Sequence, residues 1–404
     1  MSFSSVQPGD IIVDTLTVKS DRGSIDLAKG FQRASVYESI LTPGIVAMIV
    51  VKDTDDQIGQ MKLQGDEMVE FVFRVPGGET AKYQFALNKA ESSDYMGAMK
   101  SKNYNLQCVS EEALHAKANP VLKDYSNKQI SDIVKDIHKN YLKSSKNIDV
   151  EDTKGPQKIL GQNQKPYQFI DVVRRRAVSS DNKSSSYVFF ENREGYKFMT
   201  IEKLFKESAV KTFKMENTVG HDINSQTDNN IMSFTVPKTF SATERINHGS
   251  LKSDTATFDF ETNQYKINKD VKPAKMQTGG KGEWNSSTFE QKYGQTPGRR
   301  LIHPVDSRIP QTHISETSPN QLAYLAKLLQ NTIQIRVPGD TKIMAGNIIE
   351  ANIPNMVSTT GNNSGETQLS GKFLVVKLHH CIGGAAEKPR YTCILECVKG
   401  DPEK

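Results

Sequence analysis

The chain has 404 residues, with 52 Lys and Arg against 47 Asp and Glu and a net charge of +5. So small an excess does not argue for nucleic-acid binding and fits a solvated, mildly basic surface better, and no apolar run approaches the roughly 18 residues of a membrane span. Cys108, Cys381, Cys393 and Cys397 are too few for a disulfide scaffold, which points to folding in a reducing cytoplasm.

The length favours two to four domains, and a hydrophobic content of 36% suggests extended surfaces or long loops. The first ten residues, MSFSSVQPGD, lack the basic stretch and apolar core of a signal peptide. Residues 1–110 then read mainly as strands: 11–18, 45–51 behind the turn Leu41-Thr42-Pro43-Gly44, 65–75, 82–87 after Pro76-Gly77-Gly78, and 104–109. Short strands separated by turn signals predict a small β-barrel or sandwich.

From 111 the pattern changes. Ser126 and Gln129 read as a capping box. Ile130, Ile133, Val134, Ile137 and Tyr141 then give an amphipathic helix, and 143–156 reads as a polar loop. The segment 165–205 is a unit in itself. Pro166 suits a first helical turn, and Phe169, Ile170, Val173 and Ala177 make one apolar face. Arg174, Arg175 and Arg176 lie mostly on the other side, and the Ser-rich stretch 179–186 ends the helix. Tyr187–Phe190 and Tyr196–Ile201 read as a hairpin apolar on both faces, with Gly195 where the connection needs positive φ. Residues 111–230 are expected to form one mixed α+β domain.

Strands are predicted again at 231–236, 255–260 and 265–267. The Lys-, Gly-, Pro- and Ser-rich run 268–317, with Trp284, is too long for a structureless loop inside a compact domain. It reads as an inserted arm, placed at 266–317. Ser318, Pro319 and Gln321 predict a helix start, with Leu322, Leu325, Leu328 and Leu329 on one face. Strands follow at 332–337, 347–353, 372–382 and 390–398. Together 231–265 and 318–400 are expected to build a second β domain.

The two β-rich ends echo each other. Gly65-Asp66-Glu67-Met68-Val69-Glu70 resembles Gly346-Asn347-Ile348-Ile349-Glu350, and Leu106-Gln107-Cys108-Val109 resembles Leu395-Glu396-Cys397-Val398. Internal duplication and chance both account for matches this short.

Chemistry-bearing residues are few. His379, His380, Cys381, Cys393 and Cys397 bring zinc-type ligands together. Alternation along a strand, however, puts His380 on the face opposite His379 and Cys381, a poor geometry for one metal. Small buried thiols beside a strand-edge histidine pair is the preferred reading. Gly279-Gly280-Lys281-Gly282 lacks the preceding strand, the GK[ST] ending and the following helix of a phosphate loop. No histidine sits in a nucleophile context. Asp55/Asp56 and Glu111/Glu112 read as solvated charge, and Arg174–Arg176 is too short for a nucleic-acid stripe. The sequence therefore assigns no catalytic, cofactor-binding or metal site and no cofactor.

YVFFENREGYKFMTIEKLF carries a resemblance to a known family. So do Arg336-Val337-Pro338-Gly339-Asp340 with Gly346–Glu350, Ser370–Val376 with His379 and His380, and Tyr391–Val398. The chain resembles the baseplate hub proteins of contractile-tailed bacteriophages, which are related to the hub part of type VI secretion spike proteins. The resemblance is closest over 165–265 and 300–400. It implies an α+β, predominantly β fold, with two tail-tube-like β-barrel domains (1–110; 231–265 with 318–400), a mixed domain and an arm. It further implies a non-enzymatic homotrimer of pseudo-sixfold symmetry in the virion tail, assembled in the host cytoplasm. The implied partners are the tail tube protein, the central spike, and tape measure and baseplate wedge proteins. The alternative is a metal-dependent or cell-wall-degrading tail enzyme.

Overall fold

The structure, a computed structural model, describes residues 7–94, 101–181, 184–215, 228–238, 240–273, 278, 286–305, 314–328, 332–353, 369–383 and 390–400. The first β module comprises β1 (Ile12–Ser20), β2 (Gly23–Asp26), β3 (Phe31–Ser39), β4 (Val46–Asp53), helix α1 (Gln57–Met61), β5 (Met68–Arg74), β6 (Thr80–Asp94) and β7 (Lys102–Val109). Alternation decides its faces: Val69, Phe71 and Phe73 of β5 are buried while the residues between them are half-exposed. Strand β3 does not figure among the sequence-predicted elements, although Ala34 and Val36 alternate inward there between Arg33, Ser35 and Tyr37.

The mixed unit follows with α2 (Glu111–Ala118), β8 (Asp124–Lys128), α3 (Ile130–Asn140), β9 (Ile148–Val150), β10 (Gln157–Leu160), α4 (Pro166–Arg174), β11 (Tyr187–Asn192), β12 (Gly195–Thr200) and α5 (Ile201–Phe205). Helix α3 buries Ile130, Ile133, Val134 and Ile137 as its periodicity predicts. The capping box does not form. Ser126 lies within β8, opposite Lys158, and its hydroxyl donates to Asp124. The Ser131 N–H at the start of α3 is taken instead by Thr153 Oγ1 at 3.0 Å, an acceptor from another segment. The expected loop at 143–156 holds β9, which runs parallel to β12. The hairpin β11–β12 is buried along both strands apart from Lys197.

The second β module opens with β13 (Ala209–Lys214) and β14 (Ser233–Lys238). An insertion then carries α6 (Ala242–Asn247), β15 (Ser253–Asp259), β16 (Gln264–Val271), α7 (Ser287–Tyr293), β17 (Arg299–Val305) and α8 (Ile314–Leu328). The module resumes with β18 (Thr332–Pro338), β19 (Ile348–Asn352), β20 (Gly371–Gly383) and β21 (Arg390–Lys399). Two expectations change here. Strand 255–260, expected in the second barrel, pairs instead with β16 and β17 in a separate three-stranded sheet. The expected arm contains α7 and β17, and β17 joins by long-range parallel pairing that local sequence does not encode. Helix α8 begins before Ser318 and includes Pro319, while Gln321 donates to the Arg174 carbonyl. Leu329, Trp284 and Gly279–Gly282 lie outside the described residues.

The fold is α+β and predominantly β, and its largest sheet has 13 strands. Within it the two modules repeat one strand order: β1-β5-β6-β7-β4-β3 in the first, β13-β19-β20-β21-β18-β14 in the second. Corresponding strands also come in the same chain order. One ladder differs, since β1 runs antiparallel to β5 but β13 parallel to β19. No described ladder closes either order into a barrel. The echo Leu106–Val109 with Leu395–Val398 coincides in register: Cys108 lies opposite Ala47 and Leu87, Cys397 opposite Ile333 and Val375. The other echo shifts by one residue. Glu67 O accepts from Leu87 N and Asn347 O from Val375 N, both at 2.9 Å, so Asp66 corresponds to Gly346. Gly65 and Gly346 both hold positive φ, but one position apart.

Candidate functional site

The modules meet where β3 pairs antiparallel with the C-terminal half of β20, from Lys377 opposite Ser39 to Gly383 opposite Arg33. One apolar core passes beneath the joint, with Ala34 and Val36 of the first module beside Leu378 and Ile382 of the second. The sheet's other face is polar and partly exposed, the usual division for antiparallel strands.

Two buried histidine and carboxylate positions make the joint unusual. Glu38 points inward, 1% exposed, and His380 is fully buried. Glu38 accepts from Tyr83 Oη at 3.0 Å and from Ala345 N at 3.0 Å. Tyr83 Oη lies 3.2 Å from His380 Nε2, and Tyr391 Oη lies 2.7 Å from His380 Nδ1. Burial pushes the Glu38 carboxyl up to about 7, against the pull of the Ala345 N–H and the Tyr83 hydroxyl. Burial, with Arg193 and His379 nearby, pushes His380 down to about 3. A neutral His380 that donates from Nε2 to Tyr83 and accepts at Nδ1 from Tyr391 satisfies both ring nitrogens and lets Tyr83 donate to Glu38; the single Tyr391 proton is then shared between Nδ1 and the Asp340 carbonyl at 3.1 Å. The expected strand-edge histidine pair is thus corrected: β20 is an interior strand, so His380 belongs to the core.

His379 points the other way and stacks on Tyr37, with ring centroids 4.2 Å apart. Cys381 lies 3.2 Å from His379, whereas Cys393 lies 3.6 Å from His380 Nδ1, on the opposite face. Cys397 is buried farther along β21. The five residues divide between two faces, as alternation requires, and no described group of His, Cys, Asp and Glu is placed to hold a metal.

The mixed unit docks on this joint through its hairpin. Glu191 of β11 is buried, accepts from the Ser110 hydroxyl and from Ile45 N at 3.2 Å, and pairs with Lys146 at 2.6 Å. Burial pushes Glu191 upward despite that cation. Glu112 is desolvated as well, yet Lys146 at 2.7 Å and the Ser144 hydroxyl hold it below the usual carboxylate range. So Glu112, expected as solvated charge, is a buried ion-pair partner. Asn192 Nδ2 donates to Ala345 O at 3.2 Å, the residue whose N–H serves Glu38. Ala345 therefore ties both β modules and the mixed unit together. Arg174 and Arg175 pair with Asp171, which agrees with an ordinary helix face.

The polar face of the sheet carries cross-strand charge ladders. Glu70 bonds both Lys19 and Lys82, which draw its carboxyl down to about 2. Lys377 pairs with Glu396 across β20 and β21, while Lys89 pairs with Glu91 two residues along the same strand, β6. Exposed Tyr37, Val46 and Met48 interrupt these ladders beside the joint. No helix among the described residues is long and apolar enough to cross a membrane.

The sequence matches no family model and no curated protein. Solved structures do match. A tail protein from Neisseria meningitidis MC58 aligns with a TM-score of 0.60 at 9% identity, covering 95% of this chain and 96% of that one. The 43 kDa tail protein of prophage MuSo2 from Shewanella oneidensis aligns at 0.57 and 8% identity, covering 95% and 98%. A Francisella PdpA–VgrG complex chain aligns at 0.50 and 12% identity, covering 99% of this chain and 55% of that one, so this chain spans about half its length. At these identities the likeness is one of fold: the chain has the fold of phage tail proteins and of part of a spike-complex chain.

Proposed function

We propose that this chain is a structural subunit of the baseplate hub of a contractile phage tail. Three copies form a ring with pseudo-sixfold symmetry, join the tail tube to the central spike and enclose a channel. The observation that carries this reading is the repeated strand order, with both repeats joined edge to edge in one chain. Three chains with two modules each supply six similar sheets on a threefold axis, and repeated head-to-tail contacts close such a ring. The polar, charge-laddered face of the sheet suits a wall facing a water-filled channel.

In this reading the tube protein meets the sixfold-like side and the spike the threefold side. Tape measure and wedge proteins are further partners within the virion, and assembly takes place in the host cytoplasm. The domain limits proposed are 1–110, 111–230 and a discontinuous second module, with one change: β13 (Ala209–Lys214), inside the 111–230 span, pairs with β19 and belongs to the second module. The role is one of assembly, without catalysis. Light scattering on the purified chain is expected to give a trimer, and negative-stain images a ring with a central hole. A stable monomer at micromolar concentration overturns the proposal.

A further inference from the structure

The repeat can be aligned residue by residue through its ladders. Ala86 of β6 lies opposite both Met68 and Val109; Leu374 of β20 lies opposite both Ile348 and Val398. Both long strands then shift register, between Leu87 and Lys89 and between Val375 and Lys377. This sets Lys89–Asp94 in correspondence with Lys377–Ile382. On the other side, Arg33 opposite Val50 corresponds to Ser233 opposite Arg336, so β3 corresponds to β14.

The corresponding strands differ in what lies beside them. Beyond its shift, β20 has β21 on one edge and β3 on the other. The matching half of β6 pairs with β7 alone, among the described residues. Strand β3 lies between β4 and β20, whereas its counterpart β14 pairs, among the described residues, with β18 alone. Among the described residues the chain thus makes one joint internally and leaves unpaired the two edges needed for a second joint of the same kind. Unpaired edges of this length are a liability that proteins cover.

We infer that the outer half of β6 in one copy pairs antiparallel with β14 of the next copy, reproducing the β20–β3 joint between subunits. The register follows from the internal joint. Cys381 opposite Ser35 becomes Ser93 opposite Thr235; beyond that pair β14 shifts its own register between Thr235 and Lys238 where β3 does not, so the match ends there. Pro237 has no N–H to offer, so the ladder is expected chiefly over Ser233–Val236. This deepens the ring proposed above and rests on it.

Cysteine cross-linking tests the register. With Ser93→Cys and Thr235→Cys in one chain, mild oxidation is expected to give covalent trimers that reduction releases. A mixture of the two single variants is expected to give dimers, and each single variant alone no heavier species than the parent. Ser35→Cys, which faces the native Cys381, serves as an intrachain control on the joint's geometry. Trimers by light scattering without the cross-link, while the control forms its disulfide, overturn the edge pairing and leave the ring. Cross-linked ladders longer than trimers overturn closure but keep the pairing. A monomeric parent overturns both.

Discussion

Glu38 occupies an inward strand position that alternation reserves for an apolar side chain, and its proton is the cost of that placement. Its carboxyl rises from an ordinary 4.5 to about 7, so the stability it contributes is complete below 4.5 and is lost as pH rises through 7. His380 works in the opposite sense. Lowered from 6.5 to about 3, it contributes stability that is complete above 6.5 and is lost as pH falls toward 3. Glu38→Gln removes the first limb. Relative to the parent, the variant is expected to gain up to about 3 kcal/mol between about pH 5 and pH 8, read from urea unfolding at each pH. A parallel pair of pH profiles would count against this. Gly346 makes a second prediction. Its φ is +89°, and a Cβ there would stand 2.7 Å from Phe190 Cζ in the buried hairpin. Gly346→Ala is expected to lose about 2–3 kcal/mol by combining backbone strain with overpacking, measured by the same unfolding.

At the scale of elements, the hairpin β11–β12 is held to the first module by Glu191 rather than by apolar contact alone. Removing one partner of a buried pair leaves the other uncompensated. Glu191→Ala is expected to cost about 3–5 kcal/mol and to speed hydrogen exchange at the Ile45 amide, which loses one of its two acceptors while the other, Ser110 Oγ at 2.9 Å, loses its own anchor on Glu191. Unchanged exchange at Ile45 with lowered global stability would place the effect elsewhere. This hairpin was legible in sequence, because its aromatic runs and Gly195 are local signals. Its docking was not: the apolar strands announce a buried hairpin, but Ser110, Ile45 and Lys146, which receive Glu191, sit far away in the chain. Helix α3 shows the same division. Its apolar face follows from spacing, but its N-terminal acceptor, Thr153, comes from a distant segment.

For the whole molecule, one core runs beneath both β modules, with Val36, Phe73, Leu378 and Tyr391 in a single cluster. The two modules are therefore expected to unfold together. Amide exchange at Ala34 of β3 and Ile382 of β20 should show the same opening free energy, and clearly separate values would divide the core at the joint. Sequence by itself determined the strand-rich ends, the amphipathic helix at 130–140, the hairpin at 187–200 and the matched Cys108 and Cys397 segments. Each follows from side-chain periodicity or turn chemistry over a few residues. Tertiary structure alone decided that β3 joins β20, that 253–259 leaves the main sheet for a parallel partner, and that His380 faces a carboxylate. Backbone donors and acceptors are alike on every strand, so local sequence says that an edge exists while only the packed chain settles which edge it meets.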